Sequence, residues 1–219
     1  MVGMKRLIVY DLDGTLVDTL ADIAAAANHM LHALGRPAVP SDSVRGYIGS
    51  GVRDLVGRCL QTSEPRRIDH GVAIYRAYYA EHFADHSRLY PGAAAMLEHF
   101  KARRQAVLTN KPNPFSTDLL KTLGVAGYFF AIVGGESDYP KKPDPTAIRA
   151  LMAQADASAG DTVLIGDSLI DLHTGRNAGV LTVAMTHGFE EDDALRKDTS
   201  VPVVGNFAEL LQLAQREAW

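Results

Sequence analysis

The stretch Leu7-Ile8-Val9-Tyr10-Asp11-Leu12-Asp13-Gly14-Thr15 constrains this chain more than any other. Four apolar, largely β-branched or aromatic residues end abruptly in two carboxylates and a glycine, which reads as a buried strand stopping at a turn. In extended chain, residues i and i+2 project to the same side, so Asp11 and Asp13 would face one small volume at the strand's carboxyl end. Two anions that close repel unless a cation or a shared proton compensates them. Asp-Gly after a strand is also the commonest hairpin signal, so the stretch alone reads equally as a polar turn. A calcium loop is excluded, because Leu16 and Asp22 stand where that loop needs glycine and glutamate.

The chain has 219 residues, 47% hydrophobic and 22% charged, which suits one large soluble domain carrying a smaller one. A formal charge of −4 argues against nucleic acid or an anionic membrane as the main partner. Cys59 is the only cysteine, so no intramolecular disulfide can form and a reducing, cytoplasmic setting fits. No apolar run approaches the roughly 20 residues of a membrane span, and the early carboxylates do not fit a secretory signal.

From Asp18 to Leu34 the chain is alanine-rich and helical in pattern, stopped by Gly35 and Pro37. Ser41-Asp42-Ser43 offers N-cap oxygens for a short helix through Ile48, Gly49-Ser50-Gly51 interrupts, and a second run spans Val52 to Leu60. Pro65 opens a long amphipathic helix to about Asp85. No strand pattern appears between Leu16 and Arg88. From Tyr90-Pro91-Gly92 onward, helix and strand alternate: a helix to about Arg103, strands at 106–109, 129–133, 162–165 and 181–184, and helices at 115–123, 145–155, 169–178 and 207–217. Uniformly apolar strands alternating with helices predict a doubly wound α/β domain with a mostly parallel sheet, covered on both faces. The expected division is a catalytic core of residues 1–16 and 88–219, with an all-helical insertion at 17–87.

In such sheets, ligands bind at the carboxyl ends of the strands. The three best strands end in Asp11 with Asp13, in Thr109-Asn110, and in Gly166-Asp167-Ser168, with Asp171 four residues past Asp167. If a helix starts near Ser168, that spacing puts Asp167 and Asp171 on one side. Lys141-Lys142-Pro143-Asp144-Pro145 is a loop ahead of a helix. Four aspartates in one site would repel strongly, since like charges about 4 Å apart cost roughly 4 kcal/mol at an effective dielectric of 20. A cation is therefore required, and oxygen-only ligands suit magnesium better than zinc. A lysine opposite the metal would complete a cage for a phosphate dianion. His82 with His86, and His29 with His32, lack a third ligand and read as exposed helix faces; Tyr75, Tyr78 and Tyr79 read as helix packing.

Together these four elements resemble the haloacid dehalogenase superfamily, and the likeness covers essentially the whole chain. DLDGT is similar to its first motif, LTN ending at Asn110 to its second, the lysine of KPDP (Lys142) to its third, and GDSLID to its fourth. Within the superfamily the chain looks most like the phosphoglycolate phosphatases, through DLDGTLVDT, YIGSGV, LTNKP, VGGE and KKPDP. The resemblance implies that Asp11 is a nucleophile forming an aspartyl phosphate and that Asp13 is the general acid and base. It implies a magnesium ion held by Asp11, Asp13, Asp167 and Asp171. Thr109, Asn110, Lys142 and Gly14 would bind phosphate, and Ser168 would orient Lys142 or cap its helix. The helical insertion would act as a cap, in which Arg45 or Arg53 neutralises a substrate carboxylate. The implied partner is a small phosphate ester acted on by a monomer or homodimer. The alternatives are a phosphomutase, or a pyrophosphatase or phosphosugar phosphatase on the same fold. A phosphoacceptor or binding module is the alternative outside enzymes; the insertion and Asp13 count against it.

Overall fold

The computed structural model describes residues 4–219. In chain order the first elements are β1 (Leu7–Tyr10), β2 (Val17–Asp18), α1 (Leu20–Ala33), α2 (Ser41–Arg45), α3 (Val52–Leu60), α4 (Pro65–His82) and β3 (Arg88–Leu89). Next come α5 (Ala93–His99), β4 (Arg104–Pro112), α6 (Phe115–Thr122), β5 (Ala131–Gly135), α7 (Thr146–Gln154) and β6 (Thr162–Gly166). The chain ends with α8 (Leu169–Ala178), β7 (Leu181–Met185), α9 (Asp192–Arg196), β8 (Val203–Val204) and α10 (Phe207–Arg216).

Six strands form one parallel sheet in the order β5-β4-β1-β6-β7-β8. β1 lies inside it, and all four of its residues are fully buried. Successive side chains of a strand point to opposite faces. Ile8 and Tyr10 accordingly join a core with α5, α6 and α10, whereas Leu7 and Val9 join another with Ala147, Ile148 and Leu151 of α7. Such two-sided burial removes the solvent face that would otherwise demand alternating polar residues, and it accounts for the continuous apolar run.

Helices α1 to α4 build a separate cluster of buried side chains, including Ile23, Met30, Leu31, Val56, Leu60, Val72 and Tyr75. Each large aliphatic side chain removed from water there contributes about 1.5–3 kcal/mol. The two chain crossings between this cluster and the sheet domain are tied together by an antiparallel ribbon, with Val17 opposite Leu89 and Asp18 opposite Arg88. This ribbon overturns the expectation of no strand between Leu16 and Arg88: two-residue strands are too short to carry a period. Ser41, Asp42 and Ser43 do not cap α2. Pro40 occupies the N-cap without a side-chain bond, and the helix ends at Arg45 rather than Ile48. The short elements α9 and β8 were likewise not expected. Elsewhere the strands and helices fall within a few residues of the expected spans, and α3 and α8 coincide with them.

Candidate active site

Because all six strands are parallel, their carboxyl ends lie on one side, and β1, β4 and β6 are neighbours. Asp11 and Asp167 directly follow the last residues of β1 and β6, whereas Thr109 lies inside β4, which runs on to Pro112 rather than ending at Thr109-Asn110 as expected. The helix-start chemistry of α8 adds Asp171. Ser168 is its N-cap: the Ser168 hydroxyl accepts from the Asp171 amide, and the Asp171 carboxylate accepts from the Ser168 amide and hydroxyl. This reciprocal box satisfies donors that a helix start otherwise leaves open. Ser168 therefore caps the helix, and its link to Lys142 runs through Asp171.

Lys142 sits between two carboxylates, with Nζ 2.9 Å from Asp11 Oδ1 and 2.6 Å from Asp171 Oδ1. Burial disfavours its charge, but Asp11 and then Asp171 outweigh that and hold the ammonium above the ordinary lysine range. Asp11 Oδ1 also accepts from the Leu12 amide at 2.7 Å, so these contacts fall on Oδ1 and Oδ2 is left uncommitted. Burial, opposed by Lys142 and reinforced by Asp171, pushes the Asp11 carboxyl up to about 7. Asp167 accepts from the Thr15 hydroxyl at 2.5 Å and the Phe189 amide at 2.8 Å. Among the described residues it has no cationic partner. Burial first, then Asp11 and Asp171, holds its carboxyl well above the usual range. Gly14, at φ +83°, makes room for it, since a Cβ there would lie 2.2 Å from Asp167 Oδ2.

One oxygen from each of Asp11, Asp167 and Asp171 lies within 4.8 Å of the others, and all three residues are buried. Three buried carboxylates against one ammonium leave an excess of negative charge that a divalent cation would offset. The donor set is all oxygen, which suits a hard ion. The residues thus fit a metal ion.

Asp13 faces a different partner. Its Oδ1 receives Thr19 Oγ1 at 2.8 Å and Lys111 Nζ at 3.0 Å, and Oδ2 is left uncommitted. Lys111 Nζ also donates to the Tyr79 hydroxyl of α4 at 2.7 Å. Asp11 and Asp13 share two adjoining cavities of about 60 Å3 each. One is lined by Thr109, Asn110, Lys111, Arg76, Tyr75 and Tyr79, among others. The other adjoins Arg45, Asp167, Ser168 and Glu190. Thr109 Oγ1 accepts from the Lys111 amide, which leaves its own proton free to donate.

Several expected roles change. The Asn110 amide group is fully engaged: Nδ2 donates to Gly49 O at 2.8 Å and Lys142 O at 3.1 Å, while Oδ1 accepts from Lys142 N at 2.9 Å. Asn110 therefore fixes Lys142 and touches the helical cluster, and has no amide proton left for phosphate. The Gly14 amide donates to Val17 O at 2.9 Å, so it too is committed and Gly14 supplies space. Arg53 is drawn to Asp69 on the surface and is absent from both cavity walls. Arg45 does reach the second cavity. Lys111, Arg76 and Tyr79 had not been assigned to the site. No local signal pointed to Lys111, because the expected strand stopped at Thr109 and β4 instead continues through it. Tyr75 and Tyr79 do pack in α4, as expected, but they also form cavity wall. His82 pairs with Asp85 and stacks on Tyr78, which stacks on His29.

Known proteins resemble this chain in sequence and in fold. A phosphoglycolate phosphatase of Vibrio parahaemolyticus is 34% identical over 217 residues, covering 95% of each chain. That of Neisseria meningitidis is 36% identical over 223 residues, covering 96% of this chain and 94% of its own. A crystal structure of a predicted phosphoglycolate phosphatase from Haemophilus somnus superimposes with a TM-score of 0.89 at 28% identity, covering 96% of this chain and 98% of that one. No helix of the described residues is long and apolar enough to cross a membrane. The family model described as haloacid dehalogenase-like hydrolase matches residues 8–185, spanning β1 with its paired aspartates, the helical insertion, Thr109 and Asp167, and the chain belongs to that family.

Proposed function

We propose that this chain is a magnesium-dependent phosphatase of small phosphate monoesters, acting on 2-phosphoglycolate to give glycolate and phosphate. One observation carries the reading: Asp11 and Asp13 line the same cavities, and each has one carboxylate oxygen pinned and the other uncommitted. Asp11 Oδ2 attacks phosphorus, the bond from phosphorus to the ester oxygen breaks, and Asp13 delivers its proton to that oxygen. Asp13 then takes a proton from water as the water attacks the aspartyl phosphate, releasing phosphate and freeing Asp11. Thr109 donates to a phosphate oxygen, and Lys142 offsets charge that develops on the phosphoryl group. Magnesium, held by Asp11, the backbone carbonyl of Asp13 and Asp167, with Asp171 supporting, would polarise that group further.

The cavities support a small substrate. Asp11 and Asp13 line both, and one carries a largely apolar wall that includes Arg76. Two adjoining spaces that share both carboxylates suit a phosphate in one and a short acidic leaving group in the other. The helical unit at 17–87 acts as a cap that closes over them and excludes water until the leaving group departs. The enzyme works in the cytoplasm on a soluble ester. The relatives named phosphoglycolate phosphatase support the substrate.

The test is phosphate release from 2-phosphoglycolate, pyrophosphate and several phosphosugars, with magnesium and with excess chelator. A preference for 2-phosphoglycolate that chelator abolishes and magnesium restores is expected. Asp11→Asn should lower turnover by about a thousandfold or more while the far-UV circular dichroism is unchanged. Preference for another ester would move the specificity, and full activity in chelator would refute the metal assignment.

A further inference from the structure

We infer that Arg76 of α4 is the residue that selects a carboxylate on the leaving group; this rests on the phosphatase reading above. The cavity holding Thr109, Asn110 and Asp13 has two cationic wall residues, Arg76 and Lys111. Lys111 is bound to Asp13 and to the Tyr79 hydroxyl. Lys142, behind the wall, is shared by Asp11 and Asp171. Arg76 differs: its Nη2 pairs with Glu136 across the boundary between α4 and the sheet domain, while its Nε is buried without any hydrogen-bond partner.

A buried guanidinium N–H left unpaired costs free energy that a ligand acceptor would recover. Apolar side chains, Ile23, Ile48, Val52, Leu55 and Phe115, supply much of the remaining wall. An anionic group on the leaving alcohol would therefore find in Arg76 a charged wall residue whose guanidinium is only partly paired, with Nε lacking any hydrogen-bond partner. The low-dielectric surroundings would strengthen that contact. Glu136 holds the far edge of the guanidinium, so the planar fork is already oriented before a substrate arrives. Arg45 lines the other cavity, beside Asp167 and Glu190, and Arg53 is tied to Asp69. Neither shares the wall that Arg76 does.

The experiment compares KM and kcat for 2-phosphoglycolate and for ethyl phosphate, which has the same carbon count and no carboxylate. Arg76→Ala is expected to raise KM for 2-phosphoglycolate by about tenfold or more while leaving kcat/KM for ethyl phosphate within about twofold. Arg76→Lys should recover part of the loss, and Glu136→Ala, which frees the guanidinium from its tether but keeps its charge, should lower the discrimination between the two esters by clearly less than Arg76→Ala does. Glycolate, the product, should inhibit the Arg76→Ala enzyme more weakly than the unaltered one, with inhibition by inorganic phosphate unchanged. Equal losses on both esters, the same loss in Glu136→Ala, or a selective loss in Arg45→Ala alone would overturn the assignment. Failure of the unaltered enzyme to hydrolyse either ester would instead remove the 2-phosphoglycolate reading, and the role of Arg76 with it.

Discussion

Lys111 stands one residue beyond Asn110 on β4, and its ammonium joins the Asp13 carboxylate to the Tyr79 hydroxyl. The lysine belongs to the sheet domain and the tyrosine to α4, so the group assigned to proton transfer is held by a contact that spans both units. The Tyr79 ring also lies 4.7 Å from that ammonium, adding a cation–π contribution. Replacing Lys111 by Met keeps the apolar stem and deletes the charge. Turnover should then drop by about a hundredfold or more, as expected when a general acid and base loses its fixed position. Tyr79→Phe keeps the ring and removes only the acceptor, so a drop of a few-fold is expected. Steady-state kinetics on 2-phosphoglycolate would check both, and near-normal turnover in Lys111→Met would reduce Lys111 to packing. Asp11, Asp13, Thr109, Lys142 and Asp167 were legible in the sequence because strand ends and a short motif place them. Lys111, Tyr79 and Arg76 were not, because their roles depend on how α4 lies across β4, a long-range packing fact that local spacing does not encode. Asn110 and Gly14 were legible as site residues but not in their roles: only the three-dimensional partners show that their amide protons are already used.

At the scale of elements, the ribbon of β2 and β3 is reinforced by one buried carboxylate. Asp22, in the first turn of α1, accepts from the His86 amide, the Ser87 amide at 2.8 Å and the Ser87 hydroxyl at 2.6 Å. It clamps the end of the long helical stretch to its beginning, where both crossings to the sheet domain run. Hydrogen bonds to a charged group contribute about 1.5–3 kcal/mol, and donors left buried without a partner add their own desolvation cost. Asp22→Ala should therefore destabilise the protein by about 3 kcal/mol, read as a lower urea midpoint. A loss below about 1 kcal/mol would show that water replaces the carboxylate. The parallel sheet and the main helices were legible because their periods run over many residues. This clamp was invisible in sequence, since Asp22 and Ser87 lie far apart in the chain and neither forms part of a periodic pattern.

For the molecule as a whole, charge and stability are coupled through the site. Asp11 and Asp167 lie at the ends of adjacent central strands, so their ionisation is felt by the entire sheet domain. Both carboxyls are raised, Asp11 from 3.8 to about 7. Below the ordinary carboxylate value, native and unfolded chains are both protonated there, and the stabilising contribution is complete. Between that value and about 7 the unfolded chain releases its proton while native Asp11 keeps it, so the native state binds more protons and the contribution is lost as pH rises. Lys142 is raised as well, but its contribution stays complete below the ordinary lysine range and does not vary across this window. A divalent cation favours the ionised carboxylates and stabilises the native state by mass action. Saturating magnesium should accordingly raise the melting temperature little at pH 5 and distinctly more at pH 8, above the value of about 7 for Asp11, where proton competition for its oxygens has fallen. Asp167→Asn should lose most of the pH 8 increment, because it removes one of the three buried carboxylates that could hold the ion. Thermal melts at the two pH values, with and without magnesium, would decide it: an equal increment at both, or an undiminished one in Asp167→Asn, would mean that the cation binds elsewhere.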